Sequence, residues 1–431
     1  MPDETFDVNA QAAAALGWLA QAFSPHAADP AVAAAVPQPE TWPLDGGWAW
    51  VWRVPGNESL TRPVIIADGF SGGSSKLEDW LPMWAESESD VHHWGTQLHE
   101  HGRDVVVLGY KVRNASILDN AKVAIECITT VRDARVGDEP LVVGGLSMGG
   151  LVTRYALALM ESNVAEYGEH EAATYFSYDS PHRGAWIPIS LQCFAHFLAA
   201  VADLITDPDK KAQLKAMSAL INSPAARQLL WKHTATHLNV GPDFSADGAR
   251  ATFLEELAAV GWWPVIPKTV AVANGRGDGQ GLEVTAGVKN LTWTPTLDGW
   301  IRSPGATLYA QDEGANKTAA ELHKALSAGT TTVKTSDIPP LDGAPGGTLD
   351  SFGIAQKQLE EAGYEATVEF PVVCFVPTAS AVDLADPSDP FAPVNDMDPA
   401  ASGVDRFLVA ADNEPHTRFT TDLCNWLTAE F

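Results

Sequence analysis

Short apolar runs recur along the first half of the chain, each separated from the next by a stretch of helical periodicity. Residues 64–67, 104–108, 141–144 and 174–178 read as buried strands, rich in Val, Ile, Leu and aromatic residues and bounded by turn formers. Between them, residues 116–135 and 149–162 carry apolar side chains at helical spacing. Strands that alternate with helices at this interval predict a mostly parallel central sheet with helices on both faces, an α/β architecture. Residues 47–54 alternate instead, which sets Trp48, Trp50 and Trp52 on one face of an earlier strand. Residues 8–23 are alanine-rich and predict a helix, broken by Pro25, Pro30, Pro37 and Pro39.

The rhythm changes after residue 184. Residues 185–265 are helix-rich and predict a cap or lid inserted between two strands of the sheet, with Trp186, Ile187, Phe194 and Phe197 as apolar pocket or core positions. A strand pattern resumes at 269–273. Residues 283–365, rich in Gly, Pro and Thr, read as a peripheral hairpin and loop insertion that ends in a helix over 351–362. A strand over 368–376 and a last helix over 417–429 close the chain. No internal repeat or linker divides it, so residues 1–431 are read as one domain with two insertions.

The chemistry concentrates where one strand meets one helix. Gly145, Ser147 and Gly149 form G-x-S-x-G directly after the strand over 141–144 and at the start of the helix over 149–162. In that context the pattern is a nucleophile elbow: a sharp turn lifts the serine hydroxyl out of the sheet, and small residues on both sides allow backbone segments to approach closely. The helix N-terminus supplies N–H groups and a positive dipole end beside the hydroxyl. Upstream, Ala67-Asp68-Gly69-Phe70-Ser71-Gly72-Gly73 is a second strand running into a glycine-rich loop. An elbow of this kind takes one oxyanion donor from the residue after the serine and one from such a loop, which points to the N–H groups of Met148 and Phe70.

These residues resemble a known family. Gly-Leu-Ser-Met-Gly-Gly-Leu-Val-Thr-Arg-Tyr-Ala (145–156) is similar to the elbow and following helix of lipase-like α/β-hydrolases, and Tyr178-Asp179-Ser180-Pro181-His182-Arg183-Gly184 resembles the T-P-H-x-G segment of many of those lipases. Residues 374–381 and 413–416 look like late segments of one branch of that family. The resemblance covers about residues 62–190 well and the remainder in patches; it implies the α/β-hydrolase fold and ester-type hydrolysis, with no particular substrate. One departure stands out: Asp68 occupies the place where many lipases carry His before the Gly of the oxyanion loop.

A serine nucleophile on this fold is followed in the chain by an acid and then a histidine. His416 fits, after the last predicted strand and before the final helix. His92, His93, His99 and His101 precede the serine, and His182 follows it too soon. His99-Glu100-His101 lacks metal-site spacing, so it is read as a solvated helix end. Four acids compete. Asp278 stands first, across a glycine-rich turn beyond the strand over 269–273. Asp342 is the second choice, because relatives of lecithin–cholesterol acyltransferase place the acid after a hairpin excursion. Asp179, at the end of the preceding strand, is third and Asp383 fourth.

Composition narrows the partners. A net charge of −28 repels nucleic-acid phosphate and excludes a nucleic-acid partner, leaving a small-molecule or lipid-like ester as the expected substrate. No stretch reaches the roughly 18 apolar residues of a membrane helix. Cys127, Cys193, Cys374 and Cys424 are far apart and form no metal or redox pair. The expected chemistry needs no metal and no organic cofactor. The acidic start lacks a secretory pattern and reads as cytoplasmic, although a secreted chain whose signal had been removed would begin alike. The same serine, histidine and acid also suit an acyltransferase or cyclase, and the fold can serve as a non-catalytic binding protein; the sequence fixes no oligomeric state.

Overall fold

Val64, Ile65, Ile66, Val105, Val106 and Val107 have no exposed surface, as strands covered on both faces require. The computed structural model describes residues 36–84, 92–202, 208–237, 248–294, 297–298, 301–324, 329–361, 364–385, 389–395 and 397–431. The helix expected over 8–23 lies outside them.

The central sheet is built from β1 (Glu40–Leu44), β2 (Gly47–Trp52), β3 (Pro63–Ala67), β4 (Asp104–Tyr110), β5 (Leu141–Leu146), β6 (Ala172–Tyr178), β7 (Lys268–Ala273) and a last strand, Arg406–Val409. Its spatial order is β1-β2-β4-β3-β5-β6-β7 and then Arg406–Val409. β1 and β2 pair antiparallel, β2 joins β4 antiparallel, and every other pairing in the sheet is parallel. Trp50 and Trp52 join Trp80, Trp94 and Phe176 in one apolar cluster. The opposite face is covered by α2 (Ile117–Ala134) and α3 (Met148–Ser162), whose buried residues join a second cluster; α1 (Trp94–Glu100) lies between β3 and β4 in the chain. The order, with β3 crossed by β4 and β5 leading into α3 through Ser147, is that of the α/β-hydrolase fold.

Both insertions leave the carboxyl ends of the parallel strands. The first carries α4 (Ile189–Val201), α5 (Pro208–Ile221), α6 (Pro224–Leu229) and α7 (Ala249–Ala259). Its root is fixed by a bridge between Ala185 and Leu230 and by the Trp186 N–H donating to the Phe375 carbonyl at 2.7 Å. The second differs from the peripheral hairpin region expected over 283–365. β8 (Lys289–Trp293), β9 (Gly305–Tyr309), β10 (Lys317–His323) and β11 (Thr330–Thr335) join β13 (Ala366–Val368) in a five-stranded antiparallel sheet, order β11-β10-β9-β8-β13. α4 packs on β9 and β10, and Leu291, Trp293, Leu308 and Leu322 belong to the same core cluster as α2 and α3. Thr-rich strands such as Thr-Thr-Thr-Val-Lys-Thr resemble loop composition, yet threonine is β-branched and fits a half-buried strand.

The strand expected over 368–376 is two strands. Pro371 interrupts it, since proline cannot donate to a ladder; β13 ends at Val368 and β14 (Val373–Pro377) begins beyond it. β14 pairs antiparallel with β12 (Gly346–Leu349), not with the central sheet. The helix between them, α8 (Ser351–Glu361), falls where the sequence predicts it. The closing strand of the central sheet is β15, Arg406–Val409, missed in the sequence because Arg-Phe-Leu-Val is short and only partly buried. α9 (Thr421–Ala429) follows it.

Candidate active site

β5 delivers Ser147 into a backbone conformation few non-glycine residues adopt, φ 52° and ψ −122°, and α3 starts at the next residue. The turn holds because its neighbours are glycines. A Cβ on Gly149 would lie 2.2 Å from the Ala67 carbonyl oxygen, and one on Gly145 would lie 2.5 Å from the Gly149 carbonyl carbon. The Ser147 N–H donates to the Tyr178 carbonyl at 2.9 Å, tying the turn to the end of β6. As N-cap of α3, Ser147 stands beside first-turn N–H groups, Met148 included, that have no intrahelical acceptor. Across the sheet end runs the loop after β3. A Cβ on Gly69 would lie 3.3 Å from Ser147 Cβ and 3.9 Å from its Oγ, so this loop faces the serine side chain directly. Phe70 follows and is buried.

One residue beyond Tyr178, Asp179 is fully buried with φ 47°. Its Oδ1 accepts the Asn274 N–H at 3.0 Å, and its Oδ2 lies 2.6 Å from His416 Nδ1. A Cβ on Gly347 would lie 1.9 Å from Oδ2, so only glycine fits there. An ionised carboxylate can only accept; Nδ1 therefore carries the proton and the Nε2 lone pair is free to receive one. His416 Nε2 is buried and hydrogen-bonded to no described residue, Ser147 included. The loop carrying His416 is pinned on both sides of Pro415: the Thr348 N–H donates to the Glu414 carbonyl at 2.9 Å and the His416 N–H to the Thr348 carbonyl at 2.9 Å. The Phe375 ring meets the imidazole edge-on at 4.8 Å between centroids.

The structure therefore joins His416 to the third of the four acids, and corrects the first choice. Asp278 is paired on the surface with Arg276, Oδ2 to Nη2 at 2.5 Å, and that hydrogen bond holds its carboxyl down at about 2. The strand that precedes it, β7, ends four residues too early, with Asn274 rather than a carboxylate beside the imidazole site. Asp383 is buried against Arg183 at 2.6 Å and the Trp263 indole N–H at 2.8 Å. His182 is also buried, its Nε2 3.0 Å from Ser177 Oγ and its Nδ1 3.2 Å from Arg154, and burial holds its pKa well below the ordinary value.

Asp342, the second choice, works as a bracket between the insertions. It accepts the Trp186 indole N–H at 2.6 Å and the Gln311 N–H at 2.9 Å. Burial pushes its carboxyl up to about 6 from 3.8. The sign follows: below the unfolded value the acid is neutral in both states and costs nothing, and as pH rises through 6 the folded state must hold a buried charge. At about 1.4 kcal/mol per pKa unit the loss approaches 3 kcal/mol between pH 4 and pH 7. Urea unfolding of wild type and Asp342→Asn across that range checks it: the fall in stability attributed to this group is expected in wild type and absent from the variant.

The expected pocket residues divide. Trp186, Ile187 and Phe194 are all buried. Phe194 packs edge-on against Trp293 at 6.1 Å, which places it between the insertions. Trp186 lines a small apolar cavity with Gly184, Trp231, Leu341 and Pro377; neither Ser147 nor His416 is among its walls. The insertion does reach the serine side of the sheet through α5 and α6. A Cβ on Gly72 would lie 3.9 Å from the Leu220 side chain, and the Ala225 N–H donates to the Asn114 carbonyl.

No family model matches the chain, and no curated protein does either. Among solved structures it is similar to the mature form of a lipase of Bacillus licheniformis, at 12% identity over 54% of this chain and 74% of that one, TM-score 0.33. An esterase of Pyrobaculum calidifontis shares 12% identity over 61% of this chain and 71% of its own, TM-score 0.32. A thermostable carboxylesterase from a metagenomic library shares 15% over 56% and 72%, TM-score 0.30. At these values the fold assignment rests on this chain's own strand order and elbow. Among the described residues, no helix is long and apolar enough to cross a membrane.

Proposed function

We propose that this chain is a serine hydrolase that cleaves an ester-type bond through an acyl-enzyme, with Ser147 as nucleophile, His416 as general base and Asp179 as the acid that orients it. One observation carries the reading: a histidine whose buried Nε2 has no partner among the described residues and whose Nδ1 is held at 2.6 Å by a buried carboxylate, itself one residue beyond the carbonyl that anchors a strained serine elbow. A base oriented in this way has its accepting nitrogen fixed, which is what nucleophile activation requires. Hydrogen bonds between serine and histidine are often loose until substrate is bound, so their formation is assigned to the complex.

The steps follow from the groups. His416 Nε2 takes the Ser147 hydroxyl proton as Oγ attacks the carbonyl carbon. The carbonyl oxygen becomes an oxyanion that accepts from the N–H groups of Phe70 and Met148, aided by the N-terminal end of the α3 dipole. Collapse expels the alcohol, which takes the proton back from His416. Water then attacks the acyl-enzyme with the same base, and free Ser147 and the carboxylic acid are released. The helical insertion is read as a cap whose face around Leu220 contributes apolar contact to the substrate's acyl part.

A panel of p-nitrophenyl esters of graded acyl length tests the class. Hydrolysis with kcat/KM rising along the series is expected of an apolar acyl site, since each buried CH₂ contributes about 0.8 kcal/mol. Absence of turnover on every member, with the protein folded, contradicts the proposal.

A further inference from the structure

Asp68 departs from the lipase-like pattern, and its surroundings say what it does instead. It is buried, and so is Arg113, a residue of the connection between β4 and α2. Asp68 Oδ1 accepts from Arg113 Nη2 at 3.0 Å and from its neighbour's Gly69 N–H at 2.7 Å; Oδ2 accepts from Ser75 Oγ at 2.6 Å. Arg113 Nη1 reaches Asp79 at 3.4 Å, and the Arg113 N–H donates to the Gly73 carbonyl at 2.9 Å. A buried ion pair is a weak source of stability in itself. What this one holds is a single peptide group: Arg113 Nε donates to the Gly69 carbonyl at 3.1 Å.

That carbonyl belongs to the same planar unit as the Phe70 N–H. In a trans peptide the C=O and N–H point in opposite directions, and no cis peptide is found among the described residues. Drawing the Gly69 oxygen toward Arg113 therefore turns the Phe70 N–H the other way, on a loop whose Gly69 Cα faces the Ser147 side chain. A glycine peptide flips easily when nothing restrains it; here one side is bonded to a guanidinium, itself fixed by two carboxylates. The planar guanidinium reaches Gly69, Asp68 and Asp79 together with three of its nitrogens, which a lysine ammonium cannot do.

We infer that Arg113, anchored by Asp68, is a positioning residue for the oxyanion hole: it fixes the orientation of the Gly69–Phe70 peptide and thereby of the Phe70 donor. The inference rests on the hydrolase reading, and its test separates the two. Arg113→Lys and the double variant Asp68→Asn/Arg113→Met, which removes both charges together, are compared with wild type by kcat, KM, thermal melting and affinity for a trifluoromethyl ketone. That inhibitor adds Ser147 Oγ to its carbonyl carbon and leaves an oxyanion in the hole. Loss of one oxyanion donor lowers kcat by about 10²-fold or more. The expected result is a fall of that order in kcat and in ketone affinity, with KM nearly unchanged, because the ground-state carbonyl does not depend on the donor. A scaffold role would lower the melting temperature and leave kcat per active site and ketone affinity alone. That result, or loss of fold in both variants, overturns the inference while hydrolysis by wild type still supports the parent reading. If wild type hydrolyses no ester and forms no ketone adduct, the parent reading fails and takes this one with it.

Discussion

Ser147→Ala is expected to lower kcat for ester hydrolysis by about 10⁴–10⁶-fold, the scale on which loss of a triad serine is felt. The expected loss is one of chemistry and not of fold. The Ser147 side chain caps no helix N–H, so alanine leaves no buried partner unsatisfied. The strained turn itself is held by the backbone and by Gly145 and Gly149, whose positions leave no space for a side chain. Far-UV circular dichroism and a melting curve matching wild type, together with a kcat lowered by that factor, check both halves of the statement.

The second large effect separates two aspartates that the sequence ranked in the opposite order. Asp179→Asn is expected to lower kcat by about 10⁴-fold with little change in stability, as in other triads where the acid becomes an amide. The reason lies in the tautomer. Asparagine can still accept the Asn274 N–H, but then its amide N–H₂ faces His416 Nδ1. That nitrogen must then accept, and the proton moves to Nε2, where it blocks removal of the serine proton. Asp278→Asn is expected to leave kcat unchanged, because that carboxylate is engaged by Arg276 at the surface. Steady-state kinetics of the two variants side by side decide the assignment. Equal activity in both contradicts a role for Asp179.

Why the sequence ranked Asp179 below Asp278, although Asp179 is the carboxylate that meets His416, is visible in the elements. The elbow was legible because every part of it is local: an apolar strand, four glycines around one serine, and a helix that begins at once. Ser147, the strands β3 to β7 and the helices α2 and α3 all follow from patterns a dozen residues long. His416, proposed as the base, stood out by chain order alone. The carboxylate that meets it did not, because the two lie 237 positions apart and the pairing depends on where two strands end. β6 ends on Tyr178, so Asp179 sits at the carboxyl end of the strands; β7 ends on Ala273, and the next residue is Asn274, whose N–H supports the Asp179 carboxylate. The signal was present as an asparagine in the place where a carboxylate was sought.

The second half of the chain hid its architecture for a related reason. Strands of the five-stranded sheet are short and rich in Thr and Ala, and β9 and β10 are covered by α4 packing across them, a contact no local window contains. β15 reads as four unremarkable residues until it is paired with β7. Asp68, by contrast, was visible as a departure from the family pattern. Its meaning waited on Arg113, 45 residues further along and brought beside it by the parallel pairing of β3 with β4.

Covalent labelling reads out directly whether Ser147 is an activated nucleophile. Wild-type protein is incubated with a fluorophosphonate, and the modified peptide is identified by mass spectrometry. One adduct is expected, on the peptide containing Ser147, formed rapidly in wild type, strongly slowed in Asp179→Asn and absent from Ser147→Ala. Labelling of Ser147→Ala at the wild-type rate, or an adduct on any other residue of the folded protein in place of Ser147, contradicts it.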